Sequence, residues 1–414
     1  MIRIVDTTEA RSILASRLGS QDAAEQAVRP IIQSVRAERD AALLRYAREL
    51  DGLGGAPLRV PQEELEQAES SLSPEIRKAA LIAVANIRQY AEAQLPRESF
   101  SEFAPGRKLG WIVRPLAAVG CYVPSGRYPL PSTLLMTAVL AQTAGVKRIC
   151  VTSPRPSAEI LGCAHLLGID EIYRVGGAQA IAALAFGTET IQCVDRIVGP
   201  GNAYVAAAKK LLATEVGIDF LAGPTEILIL AQDGDARWIA ADMLAQAEHD
   251  ATASAVLLTT SRSLAKAVAA EIEKQIQTLP TADTARRSLQ ESSFIAVLPT
   301  MHDAVALANS FAPEHLSLHD PSLLPQIQNA GAVFLGPMSA ESAGDYAAGP
   351  SHVLPTGGAA RLRGGLSTAD FVKIISVQQL SSSALQELAP TITTLARAEG
   401  LEAHARAVEV RSVV

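Results

Sequence analysis

Aromatic side chains make up only 4 % of this 414-residue sequence, and histidine occurs just seven times. With so few rings, the core has to be built from Ala, Val, Ile and Leu. That is the composition of helices packed over parallel strands whose two faces are both covered. Lysine and arginine form no tract, and no basic run is interleaved with aromatics, so nucleic acid is not expected as a main partner. No apolar stretch is long enough to span a bilayer, and the first six residues lack the layout of a signal peptide. Cysteine is scarce as well. Cys121, Cys150, Cys163 and Cys193 lie far apart with no C-x-x-C spacing, which reads as buried free thiols in a reducing cytoplasm.

What is present is ordinary for a soluble, well-packed protein: 48 % apolar residues, 19 % charged, and a formal net charge of −7 spread along the chain. The length exceeds one simple core, so two or more domains are expected. Apolar residues at three- and four-residue spacing predict helices over 9–18, 22–50 and 61–95, with Pro30 kinking or splitting the second. From Gly110 the pattern changes. Short β-branched or Leu-rich runs at 117–123, 148–153, 171–175 and 196–198 alternate with helical stretches at 132–144, 157–167, 178–185 and 202–213. That is the rhythm of βαβ units and hence of a parallel sheet. After Gly223-Pro224 a second set begins, with strands at 226–231, 255–260, 294–298 and 332–335 between helices at 236–246, 264–277, 301–309 and 323–329. The Gly/Pro-rich span 348–365 then separates this half from a helical tail at 381–408.

Three of the seven histidines sit beside carboxylates: His249 after Gln246 and Glu248, His315 after Glu314, and His404 near Glu399 and Glu402. Imidazole titrates near neutrality and ligates transition metals, so an adjacent acid can orient it or act as a second catalyst. Gln246 and His249, three apart at a predicted helix end, share a face and suit either a metal ion or a solvated surface. Glu314 and His315, in a loop after a helix stopped by Pro313, suit either paired proton transfer or an exposed loop. Asp345 centres a small-residue turn, where it either meets a ligand or caps the next element. His165, His302, His319 and His352 have no such company and read as structural or exposed. Two glycine turns, Gly176-Gly177 and Gly199-Pro200-Gly201, follow strands at the position where backbone N–H groups and a helix N-terminus can meet an anion. Neither is G-x-G-x-x-G, and Asp195 is a weak ribose candidate.

These segments together resemble the histidinol dehydrogenase family over nearly the whole chain. The resemblance rests on 175–188, on Ile197-Val198-Gly199-Pro200-Gly201-Asn202, and on Ala222-Gly223-Pro224-Thr225-Glu226. It continues through Gln246-Ala247-Glu248-His249, Ala312-Pro313-Glu314-His315-Leu316, 341–346 and 352–356. It implies an α/β fold of two incomplete Rossmann-like parallel-sheet domains with a helical N-terminal region and a helical C-terminal tail. The implied divisions are 1–15 as an N-terminal segment, 16–121 with 227–366 as the main domain carrying the zinc and acid–base residues, 122–226 on the NAD side, and 367–414 as a tail crossing to a partner subunit. It implies a cytoplasmic homodimer with shared sites that oxidises L-histidinol through L-histidinal to L-histidine, with two NAD+ and one zinc ion per site. Carried over by position, Gln246, His249, Asp345 and His404 become the zinc ligands, and Glu314 and His315 the acid–base pair, with His315 a neutral base. Substrate contacts fall on Thr225, Gln246, His249, His315, Asp345, Glu399 and His404, with Glu341 close by; NAD contacts fall on Tyr122, Gln179 and Asn202.

Two positions depart from the family pattern. Thr225 stands where many members have Ser, and Ser125 stands where a second Gly is common and would be strained if φ were positive there. The alternatives are a related zinc- and NAD-linked dehydrogenase acting on another small hydroxyl compound, a zinc hydrolase with Glu314 as base, or a non-catalytic protein with a structural zinc. The last is disfavoured because such sites are usually Cys-rich.

Overall fold

The computed structural model describes residues 2–16, 22–125, 129–221 and 223–411. The ends of the loop expected around Ser125 lie within these residues, but Gly126, Arg127 and Tyr128 lie outside them, as do the last residues of the helix expected at 9–18.

Two parallel sheets carry the fold. Six strands lie in the spatial order Arg3–Val5, Phe294–Val297, Ser254–Thr259, Glu226–Leu230, His315–Leu318 and Ala332–Leu335. Glu226–Leu230 and Ser254–Thr259 are buried at every position. Alternate residues point to opposite faces. Ile227 and Ile229 pack with Ile239, Met243 and Val268, whereas Leu228 and Leu230 pack with Val305, Leu307 and Phe311. The second sheet has five parallel strands, ordered Glu171–Tyr173, Arg148–Thr152, Ala118–Tyr122, Arg196–Val198 and Gly217–Ile218. The helices of the first hundred residues bury their apolar sides in the cores of this five-stranded sheet, through Val28, Val35, Leu43, Leu65 and Ile87. Packing order therefore differs from chain order, and position 122 closes the strand Ala118–Tyr122 rather than following it.

Several expectations need correction. Pro30 lies inside one continuous helix, Asp22–Glu38. The break comes at Arg39, whose φ is 54° and whose guanidinium donates to the carbonyls of Phe186 and Gly187 at 3.0 and 2.6 Å. These carbonyls end the helix Gly177–Phe186, where a cation is favoured. Residues 348–365 are no free separator: Val353, Leu354 and Thr356 are buried, and Ser351 Oγ donates to Met136 O across the two halves. The tail opens with a strand, Val372–Leu380, before its helices Ser382–Ala398 and Glu402–Glu409. That strand joins Arg107–Pro115 and Ser99–Ala104 in an antiparallel sheet. Three cysteines are buried as expected, but Cys193 is exposed. No helix among the described residues is long and apolar enough to cross a membrane.

Candidate active site

His315 is not in a loop. It is the first residue of the strand His315–Leu318, which pairs with Glu226–Leu230, and the run is buried throughout. The helix before it ends at Phe311, and Ala312 takes a left-handed conformation (φ 52°) that turns the chain into Pro313 and Glu314. In the six-stranded sheet the chain proceeds from Glu226–Leu230 to strands on one side, then returns to its other side at His315–Leu318. The pair therefore sits at the point where strand order reverses, but at the amino-terminal edge rather than the carboxyl edge where open α/β sheets usually hold ligands.

A chain of hydrogen bonds runs through this edge. Glu314 Oε2 accepts from the Thr225 hydroxyl at 2.6 Å and from Glu226 N at 2.8 Å. Thr225 Oγ1 accepts from Gln246 Nε2 at 2.8 Å, so the hydroxyl shared by Ser and Thr is the part in use. With its nitrogen committed, Gln246 presents Oε1, which is buried without a hydrogen-bond partner among the described residues. His315 Nδ1 lies 3.1 Å from the carbonyl of Glu226 and donates to it, which leaves Nε2 as the basic nitrogen of the neutral ring. Nε2 has no hydrogen-bond partner among the described residues, and Asp345 Oδ1 is 3.8 Å away, close enough to act as a charge neighbour. Glu341 Oε1 lies 3.3 Å from Nδ1, and neither Glu341 oxygen has a hydrogen-bond partner among the described residues.

Electrostatics follow from this crowding. Burial pushes the Glu314 carboxyl up to about 7, against the opposing pull of His315 and Thr225. Burial and neighbouring acids likewise push Glu341 up to about 8, with His315 opposing. Burial alone would lower His315, but Glu341, Glu314 and Asp345 outweigh it and raise the ring to about 10. These acids therefore oppose the neutral-base state expected for His315. Asp345 lies in the short helix Glu341–Tyr346, not in a turn. Burial would raise it, yet His315, His352 and His249 hold it below its ordinary value.

The donors decide whether a divalent cation suits the pocket. Gln246 Oε1, the Asp345 carboxylate and the nearby His249 form an N/O set compatible with zinc. His404 does not join them within one chain: it is exposed on the Glu402–Glu409 helix, as is Glu399 at the end of the preceding helix. Among the described residues of a single chain, no three His, Cys, Asp or Glu side chains gather in metal-holding geometry.

The nucleotide-side candidates cluster at the carboxyl edge of the five-stranded sheet, again where strand order reverses. Tyr122 ends the strand Ala118–Tyr122, and its hydroxyl accepts from Gly177 N at 3.2 Å. Gln179 Nε2 donates to Asp51 Oδ2 at 3.0 Å, while Gln179 Oε1 is left without a hydrogen-bond partner among the described residues. Asn202 caps the helix Ala203–Leu212 through Oδ1, and its side chain is otherwise exposed. An exposed amide and an unpaired amide oxygen beside a strand-order reversal fit a dinucleotide. Asp195 does not belong here. It precedes its strand and accepts from Ala117 N and Ala118 N at 2.7 and 2.9 Å, at the opposite edge. Ser125 carries no positive φ; its hydroxyl accepts from Arg155 N at 2.8 Å.

Two residues were given no site role by the sequence. His352 joins the halves, with Nδ1 donating to Asp345 O at 2.9 Å and Nε2 lying 3.2 Å from Thr133 Oγ1. Asp51 reaches from the N-terminal helices to accept from Gly176 N at 3.0 Å. His352 opens the segment 352–356 but reads in sequence as structural or exposed, and Asp51 sits in no motif that would mark it.

The sequence profile of histidinol dehydrogenases matches residues 15–412. The histidinol dehydrogenase of Moorella thermoacetica is 48 % identical, covering 99 % of this chain and 100 % of its own length. That of Geobacillus kaustophilus is 49 % identical over 93 % of both chains. The crystal structure of histidinol dehydrogenase from Elizabethkingia anophelis superposes with a TM-score of 0.93 at 36 % identity, covering 99 % of this chain and 98 % of that one. With this similarity running over nearly the full length in both sequence and fold, the chain belongs to the histidinol dehydrogenase family of oxidoreductases.

Proposed function

We propose that this protein carries out the zinc-dependent, NAD-linked, four-electron oxidation of L-histidinol to L-histidine through L-histidinal, in the last steps of histidine biosynthesis. The observation that carries the reading is the continuous chain from Gln246 through Thr225 to Glu314, set beside His315 at one sheet edge. Gln246, His249 and Asp345 would hold the zinc, with His404 completing the set from a second subunit. Exposed Phe100, Phe103, Trp111 and Ile374 on the antiparallel sheet beside the tail support such pairing into a homodimer. Zinc, when bound, supplies a template that anchors and orients the substrate.

The chain's own residues do the proton work. The Glu226 carbonyl fixes the His315 tautomer, so Nε2 is the atom that would take the alcohol proton; NAD, when bound, would supply the hydride acceptor. The cationic substrate, brought next to Glu341 and Asp345, offsets the negative charge that otherwise keeps His315 protonated. Glu314, poised near neutrality with Oε2 held by two donors, keeps Oε1 for water and activates it toward the aldehyde. The hydrate is at the oxidation level from which a second NAD+, when bound, would accept hydride, with His315 placed to take the hydroxyl proton. Tyr122, Gln179 and Asn202 would contact NAD at the other sheet, and Thr225, Glu341 and Glu399 would flank the substrate. The test is the NADH yield per histidinol consumed, with zinc quantified in the same preparation. Two NADH with little free aldehyde is expected; one NADH with released aldehyde would refute the four-electron mechanism.

A further inference from the structure

Lys209 and Asp219 form an ion pair whose side chains are 2 % and 0 % exposed, with Nζ 2.8 Å from Oδ1. Burying two charges costs desolvation that their attraction roughly repays, so such a pair is a poor source of stability and a good source of orientation. Here the orientation has one target. Lys209 Nζ donates to Gly199 O at 2.5 Å, and Asp219 Oδ2 accepts from Gly199 N at 2.8 Å. Both peptide groups of a single glycine are thus gripped, one by each partner. The remaining bond goes from Phe220 N to Asp219 Oδ1 at 2.7 Å, which fixes the carboxylate itself.

Gly199 is suited to this grip. Its φ of +113° is rarely open to an L side chain, and a Cβ there would lie 2.2 Å from Tyr122 O. The glycine therefore rests directly on the main chain of Tyr122 and begins the turn that leads to Asn202. Lys209 stands on the helix Ala203–Leu212 that Asn202 caps, so it ties the body of that helix back to the end of the strand Arg196–Val198. Asp219 is anchored from the other half of the molecule, since its carbonyl accepts from Arg363 Nη1 at 2.6 Å.

We propose that Lys209 and Asp219 are positioning residues for the nucleotide, clamping Gly199 so that Tyr122 and Asn202 hold their places at the sheet edge. The inference rests on the reading of Tyr122, Gln179 and Asn202 as NAD contacts.

Direct binding separates the two ideas. NADH affinity is measured by fluorescence titration, histidinol affinity by calorimetry and zinc content by metal analysis, for Lys209→Met/Asp219→Asn, Gly199→Ala and Asn202→Ala. The double variant removes the pair without stranding a buried charge; Gly199→Ala keeps the pair but displaces the turn, and decides the matter if the double variant does not fold. Both are expected to weaken NADH binding by about tenfold to a hundredfold, the scale of a 1 Å misplacement, with histidinol affinity and zinc content unchanged. Weakened NADH binding in Asn202→Ala, with wild-type binding in the other two, overturns the clamp and leaves the nucleotide site standing. Unchanged binding in Asn202→Ala refutes the nucleotide reading and the clamp with it. A parallel loss of NADH, histidinol and zinc in the clamp variants marks a merely structural pair and also overturns the proposal.

Discussion

Replacing Thr225 with valine preserves the side-chain shape and removes one oxygen that serves two partners. Thr225 Oγ1 donates to Glu314 Oε2 at 2.6 Å and accepts from Gln246 Nε2 at 2.8 Å. A hydrogen bond to a charged group contributes roughly 1.5–3 kcal/mol, and a stranded buried donor costs roughly 1–3 kcal/mol. The bond to Glu314 favours the ionised carboxylate, so its loss lifts that group further above about 7. At about 1.36 kcal/mol per unit, the rise is about one to two units. With Glu314 acting as an ionised base, the acid limb of kcat for histidinal oxidation moves up by the same amount. At about pH 7.5, a one-unit rise cuts the ionised fraction from roughly three quarters to roughly one quarter, a loss of about threefold. Stability carries a second signature. Below about pH 4.5 the carboxyl is protonated in folded and unfolded chains alike, and the cost reduces to the stranded amide. Above about pH 7 wild-type Glu314 is ionised and the full cost applies. The assays are a pH–rate profile and urea unfolding at both ends of that range. Thr225→Ser keeps the hydroxyl and is expected to follow wild type. A Thr225→Val acid limb that coincides with both would refute the relay from Gln246 to Glu314.

Other outcomes follow from the same geometry. The folded pKa of Glu314 is raised from 4.5 to about 7, so the folded chain binds the proton more tightly and its stability falls as pH rises through that window. Glu314→Gln is therefore expected to resist urea better than wild type above about pH 7, with the gap closing toward about pH 4.5; its histidinal oxidation should drop ~10²–10⁴-fold. Equal stability across the range would contradict the buried-charge account. For the tail, His404→Ala subunits mixed with His315→Ala subunits are expected to regain roughly a quarter of wild-type activity, because in the proposed homodimer with shared sites one site of each hybrid would be intact. A mixture that stays inactive after subunit exchange would place His404 in its own chain's site. Deleting residues after Gly400 should abolish activity and lower zinc content while circular dichroism stays near wild type, since the Glu402–Glu409 helix packs mainly on the helix before it.

Much of the architecture was legible because parallel strands covered on both faces leave dense apolar runs. Ala118–Tyr122, Arg148–Thr152, Glu226–Leu230 and Phe294–Val297 each fall within a residue or two of the runs that predicted them. The strand His315–Leu318 escaped because it is four residues long and opens on polar residues behind a proline, which reads as a loop. The antiparallel sheet escaped for another reason. Ser99–Ala104 and Val372–Leu380 are largely exposed on both sides, so no hydrophobic alternation marks them. At the site, motif spacing identified side chains but could not give their partners. The acceptor that sets the His315 tautomer is a backbone carbonyl of Glu226, and the residue that ties Asp345 to the other half is the isolated His352. Such contacts depend on strand register and domain packing, neither of which leaves a local pattern in the chain.

The charge of the pocket bears on which alcohols it accepts. Two buried carboxyl groups, Glu314 and Glu341, and the half-buried Asp345 surround one imidazole, and neither Glu341 oxygen has a hydrogen-bond partner among the described residues. Buried like charges are costly unless something positive joins them. That cost appears as the rise of Glu341 to about 8 and of His315 to about 10. Zinc held by Asp345 would supply part of that positive charge, but a neutral alcohol would leave Glu341 uncompensated and so favour the proton on His315. An alcohol with an ammonium group beside its hydroxyl supplies the missing charge and lowers the proton affinity of the ring in the same event, so binding and base activation are coupled. Replacing the ammonium of histidinol with hydrogen is therefore expected to cost on the order of 10⁴-fold in kcat/KM, as for sites that lose the partner of a buried polar group. It should also shift the pH profile alkaline, because His315 would lose its proton only at higher pH. Comparable turnover of the deamino alcohol, with an unchanged profile, would show that the acid cluster does not select for a cation.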